Sequence, residues 1–223
     1  MTQINVVIPT KYSIDMLEKL LPSMKDAHDI LILDNGLSKE NRYRLFENQE
    51  IYDNLFVLDA RELSIYQMWN LGWTIYPNSH LAILNDDIYF LPSTLTLLSN
   101  ALSFMPDLAA ICPDYNRSIT EGIDNPTTQL TTSTFGRNGL AGFAFMLNTA
   151  LPIPKVDENL QWWYGDDDLV YNIERAEYRV AKLLGVPVEH RQGSSSSLDP
   201  TIPGKKEQDR LYFNQKYGES RNL

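Results

Sequence analysis

The sequence predicts an α/β protein built on a mostly parallel, doubly wound sheet. Three observations predict it. Four short apolar runs, residues 4–8, 30–33, 55–58 and 81–84, alternate with segments of helical character. Such runs, rich in Val, Ile and Leu, read as buried parallel strands. The resulting βαβαβαβ order implies right-handed crossovers that stack the strands into one sheet. Polar clusters follow three of the runs: Pro9 and Thr10; Asp34 and Asn35; and Asn85, Asp86 and Asp87. Ligands of such sheets bind beyond the carboxyl ends of the strands, so these clusters should converge on one edge.

In chain order, Pro9 stops the first strand. Ile14, Leu17, Leu20, Leu21 and Met24 then recur at helical spacing, with Ser13 a candidate N-cap and Pro22 an early stop. The second strand ends in the turn Asp34-Asn35-Gly36, and residues 38–48 are polar and helical. After the third strand, Ser64 and Gln67 form a capping-box pair opening a helix with Met68, Trp69 and Leu71. The fourth strand runs into Asn85-Asp86-Asp87, and Leu95, Leu98, Leu102 and Met105 mark the next helix.

The pattern changes after Cys112. Residues 113–139 are polar and without clear periodicity, a long loop of the kind that is usually functional. Residues 142–147 are strand-like. Trp162, Trp163, Tyr164 and Gly165 lead into Asp166, Asp167 and Asp168, followed by a helix carrying Leu169, Val170, Ile173 and Ala176. A late strand over 180–188 leads to His190, a serine run spans 194–197, and a last amphipathic helix covers 205–217.

Composition narrows the function. The 223 residues are enough for one domain with a full core, and 43% hydrophobic with 22% charged residues is a globular balance. The formal net charge of −10 disfavours a nucleic-acid partner, because the densest basic run is only Lys205-Lys206. The single cysteine, Cys112, lies in an apolar run and reads as packing in a reducing compartment. No apolar stretch is long enough to span a bilayer, and the N-terminus lacks the pattern of a signal peptide. The expected location is cytoplasmic.

Two acidic clusters carry the candidate chemistry. Asp86 and Asp87 at a strand end repel each other and invite a hard divalent cation, Mn2+ or Mg2+. A solvated turn explains the same residues equally well. Asp166, Asp167 and Asp168 sit where a helix begins, so one of them could simply cap it. Three carboxylates beneath the ring cluster Trp162, Trp163 and Tyr164 also suit a general base beside an acceptor pocket. His190 follows a strand into a polar loop, and an imidazole beside a carboxylate would favour manganese. Asp34 alone reads as turn chemistry.

These residues, taken in order, resemble inverting glycosyltransferases of the GT-A fold, in the large family 2 group. Val6-Val7-Ile8-Pro9-Thr10 resembles that family's first strand, and Asp34 its nucleoside-binding aspartate. Asn70 in Trp69-Asn70-Leu71-Gly72 resembles the Asn of its Ala-Arg-Asn-x-Gly segment. Asn85-Asp86-Asp87 resembles its DxD-type metal motif, with Asn in the first place and Asp87 in the metal position. Gly142-Phe143-Ala144-Phe145 resembles the strand before its acceptor site, and Tyr164-Gly165-Asp166-Asp167 its Tyr-Gly-Glu-Asp. His190, Gly193 and Ser194 resemble a late His-x-x-Gly-x-Ser segment, and residues 209–218 the closing helix.

The resemblance implies a Rossmann-like, mostly parallel sheet flanked by helices, with a mixed C-terminal half. Residues 1–112 would bind a nucleotide sugar (UDP-, GDP- or TDP-linked), and residues 113–223 the acceptor. Pro9, Thr10, Asp34, Asn70, Asn85 and Asp86 would contact the donor. Asp87 and His190 would hold Mn2+ or Mg2+. Trp162, Trp163, Tyr164 and Asp168 would face the acceptor, and Asp167, or Asp166 one register away, would be the base of an inverting transfer. The acceptor would be a glycan hydroxyl, or a modified DNA base of a phage if Arg117, Arg137, Lys205 and Lys206 formed a basic groove. Residues 113–139 would form the acceptor loop and lid. Two other readings compete. A nucleotidyltransferase would carry a Gly-rich basic loop where Thr10-Lys11-Tyr12 stands, and a non-catalytic carbohydrate-binding protein would not need the Asp166 to Asp168 trio.

Overall fold

A computed structural model describes residues 2–12, 14–131, 139–191 and 200–218. Ser13, Arg137, Gly193, Ser194 and the serine run, all singled out from the sequence, lie outside them.

The strands are β1 (Ile4–Thr10), β2 (Asp29–Asp34), β3 (Leu55–Asp59), β4 (His80–Leu84), β5 (Ile88–Phe90), β6 (Leu108–Asp114), β7 (Thr127–Thr131), β8 (Ala144–Asn148) and β9 (Arg179–His190). The helices are α1 (Ile14–Leu20), α2 (Lys39–Ile51), α3 (Ile65–Ile75), α4 (Thr94–Phe104), α5 (Gly165–Arg175) and α6 (Ile202–Tyr217).

The sheet order is β3-β2-β1-β4-β8-β6-β9-β5, with β7 paired to β9. The first four strands are mutually parallel, as the alternation of elements requires. The second half is mixed. Strand β8 runs antiparallel between β4 and β6, and β9 is parallel to β6 but antiparallel to β5 and β7.

Alternation along β1 shows how the layers form. Val6 and Ile8 face a core completed by α1, α2 and α4, through Leu17, Leu45 and Leu98. Val7 points the other way, into a core completed by α3, α5 and α6 through Trp69, Ile173 and Phe213. Helix α3 lies close on the sheet because Gly72 is opposite Val7, where a Cβ would come within 2.6 Å of a valine methyl. The expected capping box at Ser64 and Gln67 forms in full.

Three strands depart from expectation. The run read as buried packing around Cys112 is β6, a fully buried strand that runs through Pro113. Strand β5 has only three residues. Strand β7 lies inside the supposed loop and alternates weakly because its residues are mostly exposed. No helix among the described residues is long and apolar enough to cross a membrane.

Candidate active site

The carboxyl ends of β1 and β4 are adjacent because the two strands pair in parallel. Asp86, just past β4, accepts a hydrogen bond from Thr10 Oγ1 at 2.5 Å and one from the Lys11 amide at 3.3 Å. It therefore joins the two strand ends. Asp87 comes next and is almost fully buried. Strand β5 pairs antiparallel with β9, with Ile88 opposite His190, and this pairing carries the imidazole to Asp87. His190 Nε2 lies 3.1 Å from Asp87 Oδ1. The ring of Phe143 stacks on the imidazole at 4.3 Å and 13°. The Arg191 amide donates to the Asp87 carbonyl at 3.0 Å.

Asp87 and His190 form a donor pair that suits a divalent cation. Two neighbouring ligands of an octahedral ion with bonds of about 2.1 Å stand about 3 Å apart, and the observed spacing is 3.1 Å. Among the described residues no group of three carboxylate, imidazole or thiolate side chains is gathered around one point. Mg2+-type sites commonly use one or two protein ligands and complete their shell with water and substrate phosphate.

A cleft of about 620 Å³ opens over this pair. That volume suits a ligand of nucleotide-sugar size. Pro9, Thr10, Asn85, Asp86, Asp87 and His190 line it on one side, and Gln161, Trp162, Trp163 and Lys205 on the other. The second acidic cluster begins at the end of the latter wall. Gly165 donates its amide to Tyr66 Oη at 3.0 Å and fits so tightly that a Cβ would come within 1.9 Å of the tyrosine ring. Asp166 follows, half-buried, with its carboxyl against Gly142, where a Cβ would meet Oδ2 at 2.7 Å. Burial, and then the neighbouring Asp167, push the Asp166 carboxyl up to about 7.

The segment 142–143 thus joins the two clusters. Gly142 touches Asp166, and Phe143 covers His190 while its backbone carbonyl accepts from the Asn85 amide at 2.8 Å.

No family model and no curated protein matches the chain. Solved structures do. GalNAc-T7, crystallised with UDP, GalNAc and Mn2+, superposes at a TM-score of 0.67 and 14% identity, over 85% of this chain and 44% of that one. The Pyrobaculum calidifontis mannosyltransferase PcManGT, in complex with GDP-Man and Mn2+, gives 0.63 and 12%, over 95% and 70%. Residues 1–349 of S. aureus TarS, in complex with UDP-GlcNAc, give 0.61 and 18%, over 94% and 65%.

The chain has the GT-A fold.

It spans less than half of GalNAc-T7 and just under two thirds of the TarS fragment. Within this GT-A sheet the residues expected at the site divide into two groups. Pro9, Thr10, Asn85, Asp86, Asp87, Trp162, Trp163 and His190 share the cleft, with Asp166 and Asp167 at the end of its wall. Four others are held elsewhere. Asp34 does not line the cleft: Oδ1 accepts the Gly36 and Leu37 amides and Oδ2 pairs with Arg42 at 2.6 Å. Its neighbour Asn35 takes the lining position. Asn70 braces the segment behind the wall, donating to the Val156 carbonyl at 2.8 Å and to Glu158 at 2.9 Å. Asp168 has no exposed surface and binds Lys216 Nζ at 2.7 Å, Tyr217 Oη at 2.5 Å and the Asp157 amide at 2.9 Å. Tyr164 turns away and stacks on Phe213 at 4.9 Å.

The sequence reading passed over Lys11, Tyr12, Ile65 and Met68 as lining residues and named Lys205 only for a basic groove. It also passed over Asp209, whose signal was present: an acid one turn from Phe213 on the buried stripe of α6.

Proposed function

We propose that this chain is a metal-dependent, inverting glycosyltransferase that moves a sugar from a nucleotide sugar to an acceptor hydroxyl. The observation supporting this reading is the two-residue bridge, Gly142 and Phe143, with Gly142 against Asp166 and Phe143 stacked on His190 of the Asp87–His190 pair. Residues 1–112 form the donor half and residues 113–223 the acceptor half. Binding of UDP, GalNAc and Mn2+ by GalNAc-T7, and of GDP-Man and Mn2+ by PcManGT, supports the donor class and the metal.

Asp167, or Asp166 one register away, is the base. An acceptor hydroxyl is a poor nucleophile near neutrality and needs a carboxylate to take its proton as it attacks the anomeric carbon. A carboxyl held above its ordinary range suits that task, and burial, then the neighbouring Asp167, raises the Asp166 carboxyl. Asp87 and His190 would hold the cation, which would neutralise the charge developing on the departing nucleoside diphosphate. Trp162 and Trp163 offer ring surface to the acceptor, and Lys205 offers a positive charge at the mouth. A single base and a single displacement give inversion.

A thermal-shift screen of UDP-, GDP- and TDP-sugars with Mn2+ tests this reading. One of them should raise the melting temperature, and EDTA should remove both the shift and sugar transfer. Undiminished transfer in EDTA would exclude the metal role of Asp87 and His190.

A further inference from the structure

Helix α6 lies behind the cleft, and only Ile202, Asp209 and Phe213 of it are buried. Asp209 is 1% exposed, and a buried carboxylate is costly unless donors surround it. The donors here are three successive backbone amides. Gln161 donates to Oδ1 at 2.9 Å, and Trp162 and Trp163 donate to Oδ2 at 2.7 and 2.8 Å. Consecutive amides turned towards one anion form a nest, and bonds to a charged acceptor are the stronger kind. The peptide so held leads directly to Tyr164, which has a left-handed backbone (φ 69°), and to Gly165 and Asp166. A non-glycine residue keeps that conformation only when its surroundings impose it. One turn further along α6, Phe213 stacks on Tyr164.

We propose that Asp209 is the positioning residue of the acceptor wall. By binding the amides of residues 161–163, its carboxylate sets where Trp162, Trp163 and Asp166 stand relative to Asp87 and His190. The functional meaning of that wall rests on the proposed glycosyltransferase reading; the positioning itself does not. The proposal separates two roles within α6. Lys205 lines the cleft and Lys206 Nζ lies 4.0 Å over the Trp163 ring, whereas Asp209 is not among the lining residues and acts through the peptide it holds.

The test uses the full chain and Asp209→Asn, which keeps the shape and replaces one acceptor oxygen with a donor. Hydrogen–deuterium exchange, acrylamide quenching of tryptophan and calorimetric binding of UDP with Mn2+ are read together. In the native chain the amides of residues 161–163 should exchange slowly, although they lie outside helices and strands. In Asp209→Asn they should exchange about ten-fold faster or more, the loss expected of a charge-assisted bond. Quenching should also rise, because Trp69 and Trp73 are buried and the signal comes from Trp162 and Trp163. The dissociation constant for UDP with Mn2+ should stay within about two-fold, as expected of a site not directly contacted. Unchanged exchange at 161–163 in the variant overturns the proposal, and so does an equal rise across β1 and β4. If the variant does not fold, the native chain decides: exchange at 161–163 as fast as in an unstructured peptide of the same sequence overturns it. None of these readouts needs sugar transfer, so a failure of the enzymatic reading would be seen separately.

Discussion

Asp166 combines two opposed requirements. Its carboxyl stands well above the ordinary 3.8, so the folded chain holds that proton more tightly than the unfolded chain. Stability is therefore lost as pH rises from 3.8 through about 7, while the ionised form, which proton abstraction would need on the proposed reading, accumulates over the upper part of that range. Asp166→Asn should lower turnover by roughly 10²–10⁴-fold and leave binding of UDP with Mn2+ intact. It should also raise the melting temperature at pH 8. The native rate should climb between pH 6 and 8, and a flat profile would remove Asp166 from the role of base. His80 acts with the other sign. It is buried against Ser99 at 2.7 Å, and burial holds its pKa below 6.5. It contributes stability above pH 6.5 that is lost as pH falls through its folded value, since the unfolded chain takes the proton first. In an Asp166→Asn background, which removes the opposing carboxyl, the melting temperature should drop from pH 7 to 5, and adding His80→Gln should flatten that drop.

The same scale shows why some residues were legible in the sequence and others were not. The sequence placed Asp87 and His190 each after a strand, at one edge of the sheet; their meeting at 3.1 Å depends on the β5–β9 pairing. Asp34, Asn70 and Asp168 were assigned to ligands by residue type and position in a motif. A short polar side chain at a strand or helix end has several neighbours to choose from, and a motif does not say which way it turns. Arg42, Glu158 and Lys216 made those choices.

Among the elements, the strands of the first half were readable because burial on both faces forces continuous apolar runs. Strand β5 is too short to show a period, and β7 is too exposed to need one. Their role is nevertheless large, since β5 delivers Asp87 to His190. The α3–α5 contact is the tightest junction between elements near the site. Gly165 opens α5 against the ring of Tyr66, and no side chain fits between them. Gly165→Ala should force the ring or the helix to move and cost about 1–3 kcal/mol, in the range of overpacked cores. Chemical denaturation will measure it. A Gly165→Ala chain as stable as the native one would mean that Tyr66 is free to swing aside.

At the level of the whole molecule, the sequence pattern carried the layer order and the parallel first half, because alternating strands and helices leave few topologies. It did not carry the contact between Gly142 and Asp166, which joins parts of the chain without a shared local pattern. Gly142→Ala should displace the Asp166 carboxyl, since the new methyl carbon would stand 2.7 Å from its oxygen. The expected result is a fall in turnover of at least about ten-fold, as for a misplaced catalytic group, with binding of UDP and Mn2+ retained.

Two consecutive residues, one resting on an imidazole and the other on a carboxylate, make a short lever. On the proposed reading, any shift of the His190 ring would be felt at the Asp166 carboxyl through Phe143 and the adjoining Gly142.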